Sequence, residues 1–336
     1  MRAPGVALVA TALLTVGCTG EGGSPAAGPS PSATTGGTPT ASAPPAVELP
    51  DPLSLRRVDG TDIDAEPFAD FAVAAGDGMW VSGVDPGAVR YDGRTGRVTA
   101  RIRLDGAVEQ ALEQSGGRVW LPTSTPELVE ADATTGEVLS RVRLPGRPIG
   151  EGGLGAVGDV AYVLVASRGP TIVVVSDGRV SDRIPAPRSA VAVRAGYGAL
   201  WVPTGRDTVE RYDLATGEWS TIESGPGPRF LDVGLGAVWV MDQGDGSVTR
   251  IDARTGEPEV LAAYSYPIRG GDLTTGAGAV WLRTDDSVLR LTRSGEVTHV
   301  LELPPGSGSV AATGDAVLIT NHDHVVVHRV PLPLPR

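Results

Sequence analysis

Asn321-His322-Asp323-His324 sets two imidazoles at alternate positions of a short polar segment. Alternate residues of a tight turn can face one point, so His322 and His324, with Asp323 or Glu66 as a third ligand, form a candidate site for Zn²⁺ or another divalent metal. The same four residues also read as a solvated polar turn. Either imidazole, set beside Glu109, has the composition of the base and acid that a lyase needs. A second constellation is the recurrence of Arg next to Pro in Arg147-Pro148, Pro187-Arg188, Pro228-Arg229 and Pro267-Ile268-Arg269. Planar, permanently charged guanidiniums suit carboxylate or phosphate, so convergence of Arg147, Arg188, Arg229 and Arg269 predicts a small anionic ligand. Local pairing with acids such as Asp232 and Asp272 is the alternative. The 28 basic residues are all Arg, which excludes Schiff-base lysines and phosphate-loop lysines. No Gly-rich phosphate loop or nucleophile elbow is present.

These candidates need a frame, and the frame is a repeat. Gly198-Ala199-Leu200-Trp201-Val202, Gly236-Ala237-Val238-Trp239-Val240 and Gly278-Ala279-Val280-Trp281-Leu282 are its plainest copies. Trp80 and Trp120 fall in step, and Tyr162 and Leu318 stand where Trp is expected. The seven anchors lie 37 to 42 residues apart, the period of a repeated supersecondary unit. Short apolar runs separated by turns predict four antiparallel strands per unit. Asp92 to Gly96, Asp132 to Gly136, Asp213 to Gly217 and Asp252 to Gly256 supply a hairpin turn that ends on a glycine suited to positive φ. The fold predicted is all-β, a seven-bladed propeller of four-stranded blades.

The last unit stops one strand short. Leu53 to Gly60 has the look of a fourth strand and is expected to complete that blade beside Val325 to Val330, leaving no open edge. Loops from the fourth strand to the next blade, and from the second strand to the third, share one face, so the Arg loops and the His turn belong at one channel mouth. Arg90, Arg211, Arg250, Arg290 and Arg329 recur in the third strands and read as blade construction. Asp242 to Gly246 reads as a hairpin turn, since it lacks the alternating acids and distal Glu of a calcium loop. Trp219, outside the register, reads as a rim contact or an edge-packing residue.

The N-terminus differs in kind. Residues 3–17 are uncharged and mostly apolar, preceded by Arg2 and too short to span a bilayer. Leu14-Thr15-Val16-Gly17-Cys18 resembles the lipobox of bacterial lipoproteins, with Thr15 departing from the usual Leu. Cys18 is the only cysteine, so an exported chain has no internal disulfide and acylation explains the residue. Residues 19–46 are almost wholly Gly, Ser, Thr, Pro and Ala, the composition of a flexible tether. The expected organisation is a signal peptide over 1–17, a lipidated Cys and tether over 18–50, and a propeller over 51–333. A net charge of −12 without a basic run argues against nucleic acid.

On the Gly-x-x-Trp-Val and Asp-x-x-Thr-Gly elements, residues 52–332 resemble the seven-bladed YVTN and streptogramin (virginiamycin B) lyase-like propellers. That resemblance implies the fold and leaves the activity open, because the group includes a ring-opening lyase and many binding proteins. Asp213 to Trp219 resembles the quinoprotein dehydrogenase repeat, but seven copies and the lack of paired cysteines argue against that enzyme. The expected function is a binding module, held at the extracytoplasmic face of the cell membrane by lipid on Cys18. It would act as a monomer on an envelope protein or a small anionic ligand, without catalysis; a lyase or hydrolase at the same mouth is the alternative. A scaffold that uses the flat blade sides is a third reading.

Overall fold

The Gly-x-x-Trp runs become the second strands of seven sheets, and the reason is burial. In the computed structural model, which describes residues 48–335 except 66, 84–86, 105–110 and 265, Trp80, Trp120, Trp201, Trp239 and Trp281 are at most 1% exposed. Each anchor shares a core cluster with the following blade. Trp80 packs with Val119 and Leu121, Trp120 with Val163, and Tyr162 with Leu200. Trp201 then meets Val238, Trp239 meets Val280, Trp281 meets Val317, and Leu318 returns to Met79 of the first blade. The described residues thus form the seven-bladed antiparallel propeller that the repeat predicts.

In blade 1 the strands are Ala72–Ala75, Gly78–Ser82, Gly87–Asp92 and Val98–Arg103, innermost first. The later blades keep this order, with inner strands Glu113–Ser115, Leu154–Val157, Arg194–Gly196, Pro228–Gly234, Asp272–Gly276 and Val310–Ala312. The recurrent third-strand Arg pair in register with the anchors and cover them. Arg211, Arg250 and Arg290 lie 5.7, 5.8 and 5.8 Å from the ring centroids of Trp201, Trp239 and Trp281. The indole N–H groups of those three Trp donate to the carbonyls of Gly196, Gly234 and Gly276.

The Asp-x-x-Thr-Gly turns join third to fourth strands as predicted. Asp92, Asp132, Asp213 and Asp252 each accept a bond from the backbone N–H three residues on, and these bonds hold the carboxyls below the ordinary range. Gly96, Gly136, Gly217 and Gly256 close the turns at φ of 70° to 77°, where a side chain would be strained.

Closure comes from the N-terminus, but from a later segment than Leu53 to Gly60. Thr61–Asp64 pairs antiparallel with Val326–Pro331 and completes blade 7. The apolar spacing explains the difference. Leu53, Leu55 and Val58 do not keep the period of two that a strand requires, and Leu55–Val58 coils into a 3-10 turn ended by Asp59 in the left-handed region. Leu53–Ser54 instead adds in parallel to Val297–Glu302, the outer strand of blade 6. In Thr61–Asp64 only Ile63 turns inward, and Asp62 Oδ1 lies 2.7 Å from Nδ1 of the buried His328. A chain starting at residue 65 should melt several degrees lower than one starting at residue 60. Equal melting temperatures by circular dichroism would show that this strand does not close the ring.

Asp242 to Gly246 is a turn between the second and third strands of blade 5, with Gly246 at φ 76°. Asp242 is fully buried and accepts from the hydroxyls of Ser224 at 2.8 Å, Thr249 at 2.7 Å and Ser247 at 3.3 Å. Burial outweighs these bonds and pushes its carboxyl up to about 7. The folded chain therefore holds this proton more tightly than the unfolded chain, and stability falls as pH rises from the ordinary carboxylate value towards 7. Asp242→Asn should gain on the parent between about pH 4 and 7, with a plateau above that range. A difference in melting temperature that stays flat with pH would contradict this.

Candidate functional site

The residue that pairs with each anchor on the inner strand lies seven positions before it: Val73, Glu113, Gly155, Arg194, Asp232, Thr274 and Ala311. Three of these are charged. Gly155 leaves blade 3 without a side chain here, and a Cβ would come within 2.8 Å of the Arg194 backbone. Arg194 of blade 4 therefore reaches past it to Glu113 of blade 2, at 3.2 Å, and also donates to the carbonyls of Gly152 and Leu154. Burial nevertheless pushes Glu113 up to about 7. Asp232 accepts from the Thr275 N–H and hydroxyl at 2.6 and 2.7 Å. Asp272 accepts from Ser309 at 2.6 Å and is raised to about 6, again by burial. These bonds tie inner strands of different blades together around the axis.

Nine positions before their anchors stand Phe71 and Phe230, whose rings are 6.1 Å apart. They belong to blades 1 and 5, which are not neighbours, so the contact crosses the axis and closes it. Gly152 makes room, since a Cβ there would approach Ala192 at 2.9 Å and the Phe230 ring at 3.4 Å. Above this aromatic floor lies a cavity of about 310 Å³ at the predicted mouth. Its walls include Asp70, Glu151, Arg229, Gln243, Arg269, Ser307 and His322.

The structure divides the predicted site residues. Arg229 lines the cavity, bound to Glu151 at 2.6 Å and lying 5.6 Å from the Phe230 ring. Arg269 lines it too; Asp285 accepts from the Arg269 and Gly270 N–H groups and so fixes the loop, while the side chain is exposed. Arg147 and Arg188 are exposed and do not line the cavity. Arg147 is drawn into a short strand against Val165 and Ala166, and Arg188 sits in a loop turned by the Ala190 N–H to Pro187 carbonyl bond. The inter-blade loops thus take different paths and their guanidiniums do not form a ring. Asp232 and Asp272, considered as partners for these Arg, bond to hydroxyls instead.

His322 is the one predicted imidazole on the cavity wall. It stacks on Phe68 at 4.8 Å, and its Nδ1 is 3.9 Å from Asp70 Oδ1. His324 turns away, with Nε2 3.0 Å from the Pro305 carbonyl. The segment His322–His324 coils as a 3-10 turn, so its two rings take different directions. Among the described residues no group of three or more His, Cys, Asp or Glu is placed to hold a metal ion. Glu66, Glu109 and Cys18 lie outside the described residues. The Phe floor, Asp70, Glu151, Gln243 and Ser307 escaped sequence reasoning, although counting back seven and nine positions from each anchor exposes the axial residues.

Solved structures similar to this one agree on fold. BamB from Moraxella catarrhalis is 15% identical, with a TM-score of 0.54 over 80% of this chain and 95% of that one. U3-55K is 11% identical, with a TM-score of 0.65 over 81% and 98%. The β-propeller domain of Cps50 (Swd1) from Myceliophteria thermophila is 14% identical, with a TM-score of 0.64 over 82% and 100%. No curated protein sequence matches the chain. The family model described as outer membrane protein assembly factor BamB matches residues 54–258, more than half of the chain, and the protein belongs to that family.

Proposed function

We propose that this protein is a surface-tethered propeller whose mouth cavity holds a segment of another envelope protein, without catalysis. The observation that carries this reading is the cavity itself. Its floor is apolar and aromatic, its rim is charged, and Arg269 offers an exposed guanidinium to an acidic group of the partner. On the same inter-blade loop as Arg269, Tyr266 is 69% exposed and packed edge-on against Tyr264 at 6.0 Å. Exposed Tyr and Arg around a desolvated floor are the composition of a protein-binding centre. The family likeness supports a partner in envelope assembly. The anionic-ligand reading narrows to Arg229 and Arg269, and lipid on Cys18 would hold a single copy at the extracytoplasmic membrane face. The resemblance to streptogramin lyases rests on blade elements, and of the described residues named for that chemistry only His322 lines the cavity.

A photo-crosslinking side chain at Tyr266 of the full chain should capture a defined protein in intact cells. The same group at Tyr197, in a turn between first and second strands and hence on the opposite face, should not. Arg229→Glu with Arg269→Glu should lower the Tyr266 adduct about tenfold, corresponding to about 1.4 kcal/mol. Equal adducts from both faces, or an undiminished adduct in the double variant, would refute the assignment.

A further inference from the structure

The seven fourth strands form the outer rim, and their charges are sorted by sign. Those of blades 1, 2 and 3, Val98–Arg103, Val138–Arg143 and Arg179–Pro185, carry Arg101, Arg103, Arg141, Arg143, Arg179 and Arg183, all exposed, against one acid, Asp182. Those of blades 4 to 7, Trp219–Glu223, Pro258–Leu261, Val297–Glu302 and Thr61–Asp64, carry no Arg. They present Glu223, Glu259, Glu302, Asp62 and Asp64. Arg141 pairs with Glu127 at 3.1 Å and Arg101 is partnered too, and Arg56 and Arg57 stand beside the acidic strands in the 3-10 turn. The sorting of the fourth strands themselves is otherwise complete.

Charge on an outer strand keeps the sheet edge from pairing with other chains, and either sign serves that purpose. Edge protection therefore accounts for the charge and not for its separation. In a chain of net charge −12, six clustered Arg stand against the average sign of the molecule. We propose that the rim of blades 1 to 3 docks on an anionic phospholipid surface, with the acidic rim turned away. The rim is the outside of a ring, and three diverging strands offer charge without the concave, apolar centre that a protein partner requires. A headgroup layer asks only for charge and tolerates isolated apolar contacts. Val98 and Leu139, 40% and 51% exposed, supply such contacts on two of the three strands. The inference rests on the surface-tethered reading only for the membrane being within reach; a 28-residue tether over 19–46 would span about 30 Å.

The test uses the full chain carrying Cys18→Ala, so that no acyl group contributes, and vesicles of phosphatidylcholine with or without one third phosphatidylglycerol. The parent should sediment with the anionic vesicles, remain unbound with the neutral ones and be released by high salt. Arg103→Glu with Arg143→Glu and Arg179→Glu should weaken anionic-vesicle binding at least about tenfold without changing the melting temperature. The same three positions changed to Gln, with a smaller expected loss, serve if charge reversal unsettles the strands. Undiminished binding by both triple variants, or equal binding to neutral vesicles, overturns the proposal. Tighter binding to immobilised polyglutamate than to the anionic vesicles also overturns it and assigns the rim to an acidic protein. Arg229→Glu with Arg269→Glu should bind vesicles like the parent, which separates failure at the mouth from failure at the rim.

Discussion

Everything in this molecule depends on one side chain per blade being covered by the next blade. A four-stranded sheet with a Trp on its face cannot hide that ring alone, and each anchor is buried only because the following sheet supplies the other wall. The seventh anchor, Leu318, completes the cycle against Met79 and Val81. The inner strands then meet around the axis whatever their composition. What they place there is secondary, and the residues seven and nine before each anchor are where this chain departs from its own repeat. Two Phe close the axis and a network of Glu113, Arg194, Asp232 and Asp272 binds inner strands together, while the cavity above is left to loops that share no pattern.

Buried charge near the axis is costly, and the structure shows how the cost is met. Glu113 has a guanidinium, Asp272 a hydroxyl and a backbone N–H, and Asp232 a backbone N–H and two hydroxyls. Apart from the Leu273 N–H to Asp272 bond, these contacts cross from blade to blade and so also fix the angle between sheets. The Phe71–Phe230 contact adds a non-adjacent link across the ring. A cavity resting on such a floor has walls whose spacing is set by the whole propeller, and Arg229 and Arg269 are held at a defined separation by blades 5 and 6.

Sequence reading reached the blade count, strand order, Thr-Gly turns and roles of the recurrent Trp because each is repeated, and repetition separates construction from chance. It placed Arg229, Arg269 and His322 on one face, and all three line one cavity, because loop connectivity decides which face a loop occupies. It could not tell that Arg147 and Arg188 lie away from the cavity, since that depends on how loops of unequal length fold back. The closing strand was misplaced by a few residues for a related reason. Leu53 to Gly60 has strand-like composition, yet the break in its apolar alternation at Val58 outweighs it, and Thr61–Asp64 is short and mostly polar. The polar axial residues were legible in principle, at fixed distances from the anchors, but no chemical motif draws attention to a Glu, an Arg and an Asp in different blades.

Thr61–Asp64 precedes blade 1 along the chain and finds its partner, Val326–Pro331, only in blade 7. A polypeptide that stops anywhere before that partner carries an unpaired strand at its beginning and an uncovered anchor at its end. Closure thus leaves the first and last anchors covered, and uncovered apolar surface is what aggregating chains sense most readily.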